Sequence, residues 1–210
     1  MSNHARRERL LLADLLESVG PDAPTLCEGW TTRELAAHIV VRERRPDAAG
    51  GIMLKPLAGR LAKVQGEYAA RPFEQLLELI RTGPPRFSLF GIPGADEVGN
   101  TVEFYVHGED VRRAQEGWSP RVLDAEFAEL LWKRLARTAP LNGRKSPTGL
   151  VLRRPDGQTA VARKGAPVVT ATGEPAELLL FTMGRQDKAE VTLEGDKEAV
   201  AKVQTAQLGM

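Results

Sequence analysis

The chain has 210 residues, 29 basic and 28 acidic side chains, a formal net charge of +1, 42% apolar residues and 5% aromatic ones. That length suits one large domain or two small ones with a real core. The even charge balance removes the sequence-independent hold on phosphate backbones that a nucleic-acid binder carries. A single cysteine, Cys27, closes no intrachain disulfide. The basic start Arg6-Arg7-Glu8-Arg9 leads into an apolar run that Asp14 and Glu17 interrupt, and no long apolar stretch follows. The expectation is a soluble, cytoplasmic protein with neither membrane nor nucleic acid as partner.

Leu11, Leu12, Leu15 and Leu16 give the first helix an apolar face, and Gly20-Pro21 stops it. Thr31-Thr32-Arg33-Glu34 is a capping-box pattern, with Trp30 placed to seal the helix entry. This second helix should run to about residue 44, because Pro46 disfavours helical geometry just before it. Leu57, Leu61 and Val64 mark a modest helix, and Pro72 opens another that Gly83-Pro84-Pro85 closes. Residues 84–98 read as a long loop, a candidate wall of a site. Helices over about 100–116 and 123–137 follow.

The pattern changes at Pro140-Leu141-Asn142-Gly143. Strands at 150–152 and 159–162 flank Pro155-Asp156-Gly157, a hairpin signal. A third strand at 167–172, a leucine-rich helix from Pro175 to Gly184, a fourth strand at 189–193 and a helix capped by Asp196 complete the chain. The expected fold class is α+β, a helical bundle over 1–140 followed by a small α+β domain over 148–210. Leu178, Leu179, Leu180 and Phe181 read as that domain's core. Trp118 and Trp132 read as packing residues.

Only His4, His38 and His107 can supply imidazole. His4 lies in the first residues and reads as incidental. Glu103 and His107 are one helical turn apart, and Asp110 continues their face among Val106 and Val111. Glu109, Arg112, Arg113 and Glu116 fall on the opposite side, which is expected to meet water. A carboxylate turned toward a bundle core costs several kcal/mol unless it is paired or metal-bound. Chance alone supplies roughly 1.6 acid–histidine pairs at helical spacing in a chain this acidic, so spacing does not identify a site. The stripe argument does more. Leu35, His38, Ile39 and Arg42 follow the 3, 4, 7 pattern, which sets His38 at the buried border of its helix. His38, Glu103 and His107 then form a His₂Glu set, which suits a Zn²⁺ site with an open position, and nickel, iron or cobalt would accept the same donors.

Two stretches carry a resemblance: Cys27-Glu28-Gly29-Trp30-Thr31-Thr32-Arg33-Glu34-Leu35-Ala36-Ala37-His38, and Glu103-Phe104-Tyr105-Val106-His107-Gly108-Glu109-Asp110-Val111-Arg112-Arg113-Ala114. In this order they resemble the actinobacterial family of mycothiol-dependent maleylpyruvate isomerase-like proteins, within the wider DinB-like metal-binding four-helix bundles. The tail from about Leu150 resembles the small sterol-carrier-like domain often appended there. The resemblance implies a metal held by His38, Glu103 and His107, in agreement with the reading of the residues, and mycothiol as the cofactor.

Several residues keep two readings. Asp110 either accepts the second ring N–H of His107 or pairs with an arginine from another helix. Cys27 is either a reactive thiol or a packing residue. The run Arg42-Glu43-Arg44-Arg45 is a solvated helix end or meets an anionic substrate. The expected activity is a metal- and thiol-dependent isomerase or thiol transferase acting on a small electrophile. The alternative is a non-catalytic metal- or small-ligand-binding protein whose second domain serves as ligand or partner module.

Overall fold

A computed structural model describes residues 3–52, 54–85 and 95–209. Its elements, in chain order, are α1 (His4–Val19), α2 (Thr32–Arg44), α3 (Pro46–Ala49), α4 (Ala58–Ala69), α5 (Phe73–Thr82), α6 (Ala95–Arg112), α7 (Ala125–Asn142), β1 (Gly149–Arg153), β2 (Thr159–Arg163), β3 (Val168–Thr172), α8 (Pro175–Thr182), β4 (Thr192–Glu194) and α9 (Lys197–Gln204). The class is α+β, as the residue pattern implies, with a helical first part and a sheet-bearing second part. The chain divides into two compact units, Met1–Ser119 and Pro120–Met210. The division lies at 119/120 rather than 140, because α7 packs on α8 and β2. Among the described residues no helix is long and apolar enough to cross a membrane.

In the first unit α1 packs along α5 and α6, while α2 packs along α4 and α5. Leu12, Leu16, Leu35, Ile39, Leu76, Ile80 and Phe104 fill the space between them. Leu11 stays exposed, so the face of α1 is narrower than the four leucines suggest. His4, read as incidental, is buried at the start of α1. The expected loop over 84–98 lies largely outside the described residues, and its last part is already helix α6. That helix ends at Arg112, short of the expected 116.

The bundle also buries charge. Arg9 meets Glu43 bidentately, Nη1 to Oε2 at 2.6 Å and Nη2 to Oε1 at 2.7 Å, and both side chains are buried. The expected solvated end of α2 is therefore largely engaged with protein. Glu43 faces inward, and Arg44 donates through Nη2 to the carbonyl of Leu79 at 3.2 Å and to the Thr82 hydroxyl at 3.0 Å.

The second unit is a four-stranded sheet of order β2-β1-β3-β4, with β1 and β3 parallel and the outer pairs antiparallel. Leu150 and Leu152 of β1 and Val169 and Ala171 of β3 turn to one face and are buried. Helix α8 is buried throughout its length, so its Leu178–Phe181 run is core, as its composition implies. Trp132 of α7 is buried, its Nε1–H donating to Gln158 Oε1 at 3.1 Å. Gly143 is required by close approach, since a Cβ there would stand 2.7 Å from the carbonyl oxygen of Ala162.

The Arg9–Glu43 pair yields a stability prediction. Glu43→Ala leaves a buried guanidinium without its carboxylate and should cost about 3–5 kcal/mol. Denaturant unfolding of the variant against the parent protein measures it.

Candidate metal centre

Two elements place the site. Thr31 caps α2 with its hydroxyl accepting from Arg33 N at 3.3 Å, and Glu34 returns to Thr31 N at 2.9 Å, which completes the capping box. The helix start is thereby fixed, and His38 comes about two turns after the cap, on the side that meets Glu103 of α6. On α6, Glu103 and His107 are i, i+4 neighbours. The loop before α2 is tied to α6 by Leu26 N donating to the carbonyl of Asp110 at 3.0 Å. That bond brings Cys27 to the site, while the Trp30 ring lies 5.0 Å from the His38 ring, centroid to centroid.

The side chains converge on one atom. Glu103 Oε1 is 3.3 Å from His38 Nε2 and 3.3 Å from His107 Nε2. His38, Glu103 and His107 each offer one donor atom, all within 4.8 Å of one another. Bonds of 2.0–2.1 Å to a tetrahedral zinc place ligand atoms about 3.3–3.4 Å apart. The two carboxylate–imidazole separations match that edge, so the residues present fit a metal.

The other nitrogen of His107 faces away from Glu103. Its Nδ1 is 2.9 Å from Asp110 Oδ2, and Asp110 is fully buried. Cys27 Sγ donates to the same oxygen at 3.2 Å and stands 3.8 Å from Nδ1. An ionised carboxylate only accepts, so Nδ1 carries a proton toward Asp110, and Nε2, which faces Glu103, is the nitrogen that a metal would take in place of its proton. Of the two readings for Asp110, contact with His107 is present. Cys27 packs against the core with its sulfur in the polar cluster. Cys27, His107 and Asp110 form a second group of possible metal ligands, but on the side of the ring opposite His38 and Glu103.

Glu109 and Arg113, expected to meet water, are instead buried and paired, Arg113 Nε donating to Glu109 Oε2 at 2.7 Å. The Arg113 guanidinium also lies 4.7 Å from the Trp118 ring centroid. A paired i, i+4 couple neutralises itself and can be covered, which a count of charged positions on a helical wheel does not register. Asn100 carries no charge and no motif, though it shares a face with Glu103 and His107 by the 3, 7 spacing.

No family model matches the chain, and no curated protein matches it. Its structure is similar to the crystal structure of the mycothiol-dependent maleylpyruvate isomerase, with a TM-score of 0.62 and 16% sequence identity over 91% of this chain and 90% of that one. A crystal structure of a histidine-to-alanine mutant of that enzyme matches with a TM-score of 0.61 over the same shares, also at 16% identity. The chain shares the fold of that isomerase. At this identity the likeness is one of fold, and the site stands on its own geometry.

Burial and polar contacts oppose one another at both acidic and basic members. Burial pushes the Glu103 carboxyl up, but hydrogen bonds from His107 and His38 and the charges of His107 and Arg42 hold it well below the ordinary range. Burial pushes His107 down, but hydrogen bonds to Asp110, Cys27 and Glu103 and the charge of Glu103 hold it well above 6.5. A raised histidine stabilises the fold fully below its unfolded value and loses that contribution as pH rises through the raised one. The lowered Glu103 contributes above its unfolded value of about 4.5 and fails as pH falls through its lowered one. The metal-free protein should therefore lose stability as pH climbs above about 6.5, and His107→Ala should flatten that limb. Denaturation midpoints of both proteins across the neutral and alkaline range check this, and parallel profiles contradict it.

Proposed function

We propose that His38, Glu103 and His107 hold a divalent metal ion, zinc by default, and that the centre serves a metal- and thiol-dependent isomerase or thiol transferase acting on a small electrophile. The observation that carries this reading is the meeting of His38 Nε2 and His107 Nε2 at 3.3 Å from one carboxylate oxygen of Glu103. Three protein ligands leave a position for an exogenous group, the arrangement of a catalytic rather than a structural site. A divalent ion held there supplies positive charge that favours a thiolate over a thiol near neutral pH. The fold shared with a mycothiol-dependent isomerase supports mycothiol as the thiol.

The chain's own groups have defined parts in this reading. Asp110 fixes the His107 ring and its proton on Nδ1, so Nε2 stays available. Cys27 donates to Asp110 and keeps that carboxylate turned toward the ring. In the reaction, the thiolate sulfur adds to one carbon of an activated double bond of the substrate, and the π pair moves onto the activating group. Rotation about the resulting single bond and return of that pair re-form the double bond, expel the thiolate and give an isomer, whereas protonation of the carbanion by water keeps the new C–S bond and gives thiol transfer.

The metal is tested directly. Purified protein should carry about one divalent ion per chain, lost in His38→Ala, Glu103→Ala and His107→Ala. Equal metal in all four proteins overturns the ligand set. Asp110→Asn should keep the fold and weaken metal binding about 10–100-fold in competition with a chelator; unchanged affinity removes Asp110 from the centre.

The thiol is tested with Co²⁺ in place of the native ion. Added mycothiol, or a simpler thiol, should release protons and bring in near-ultraviolet charge-transfer absorption. A Co²⁺ spectrum indifferent to thiol overturns thiol use. The ligand-module reading would then lead, and its place to look is a cavity of about 390 Å³ in the second unit, lined by Phe181, Val191, Leu193 and Val200 with Gln186, Asp187, Ala189 and Gln204.

A further inference from the structure

Arg42 lies one turn beyond His38 on α2, on the same face. Each of its guanidinium nitrogens has a partner on α6. Nε is 3.3 Å from Glu103 Oε1, Nη1 donates to Asn100 Oδ1, and Nη2 donates to the carbonyl of Gly99 at 3.0 Å. The Asn100 amide is held from its other end, with Nδ2 donating to Glu43 Oε1 at 2.8 Å. Glu43 in turn is clamped by Arg9. Asn100, Glu43 and Arg9 are all buried. The amide is therefore oriented by charge at both ends, its NH₂ toward a carboxylate and its oxygen toward a guanidinium.

This chain runs Arg9–Glu43–Asn100–Arg42–Glu103 and crosses three helices to end on a proposed metal ligand. Its first pair is a buried ion pair. The remaining links fix a guanidinium whose side chain is still 17% exposed. A guanidinium stays protonated at any working pH, so the positive charge is permanent. Its planar fork meets partners in fixed directions, which a lysine ammonium cannot reproduce.

We propose that Arg42 is a positioning and specificity-determining residue of the metal centre. It holds the Glu103 carboxylate in place and keeps a fixed positive charge beside the position left for an exogenous ligand, so the centre prefers a monovalent anion, such as a thiolate or carboxylate, over a neutral ligand. The proposal rests on the metal reading above and adds to it the class of ligand the centre takes. A purely structural ion pair would affect folding or metal retention, yet it would treat charged and neutral exogenous ligands alike.

The test uses the Co²⁺-loaded full chain, with thiocyanate as the anionic probe and imidazole, at a pH where it is neutral, as the uncharged one. Visible absorption reports binding of each. Arg42→Gln should weaken thiocyanate roughly tenfold or more, the effect of one charge a few ångströms away at intermediate dielectric, while imidazole affinity stays within about twofold. Arg42→Lys should recover most of the thiocyanate affinity. If Arg42→Gln does not fold, Arg42→Met keeps the packing of the stem and should give the same selective loss. Thiocyanate and imidazole affinities that move together, or not at all, overturn the role of Arg42. A wild-type protein that takes up no Co²⁺ overturns the metal reading itself, and this inference with it.

Discussion

Glu103 places a carboxylate between α2 and α6, where an unpaired charge costs several kcal/mol, and much of the first unit can be understood as the means of keeping it there. Three donors from two helices stand 3.3 Å from its Oε1: His38 and Arg42 on α2, and His107 on α6. Since His38 and Arg42 are one turn apart, their joint contact fixes both the rotation of α2 and its axial register against α6. A slide of one residue along either helix would turn one of the two donors off the carboxylate. The capping box at Thr31 and the tie from Leu26 to Asp110 set the start of α2, so that register is already chosen at the helix entry.

Polar groups in this bundle are buried in connected sets rather than singly. Arg9, Glu43, Asn100 and Arg42 hand hydrogen bonds from α1 through α2 to α6, while Cys27 and His107 share Asp110. Such sets add little net stability against an apolar core of equal volume, but removing one member is costly because its partners are left buried and unpaired. The apolar residues around them, Leu12, Leu35, Ile39 and Phe104 among others, supply the burial that holds the unit together. The polar sets specify which faces meet.

Local signals account for what the sequence made legible. The capping box, the hairpin turn at 155–157 and the Glu103/His107 spacing each depend on residues within a turn or two, and each has a local physical cause. The meeting of His38 with Glu103 spans 65 positions and could be inferred only from both lying on buried stripes. Partnership was the part that did not show. Glu109 and Arg113 look like a wet face because charge count ignores that the two neutralise each other. The apolar face of α7 declares a helix that needs a core without saying which core, and it joined the second unit. Asn100 carries no charge and no motif, so its place between Glu43 and Arg42 emerges only when three helices are assembled.

The charge count of the cluster connects the fold to the proposed chemistry. With both imidazoles neutral, as metal ligation requires, Glu103 and Asp110 contribute two negative charges and Arg42 one positive, leaving one net negative charge. A divalent ion turns that into one net positive charge in a partly buried space, and a single monovalent anion then brings the cluster to neutrality. A low-dielectric site tolerates net charge poorly, so the state with metal and one anion is the balanced one. Replacing Arg42 by a neutral residue would make the metal-bound cluster neutral before any exogenous ligand arrives. The proposed preference for an anion thus rests on the charge of the same guanidinium that stands against Glu103, whereas the positioning of that carboxylate rests on the directions of its planar fork.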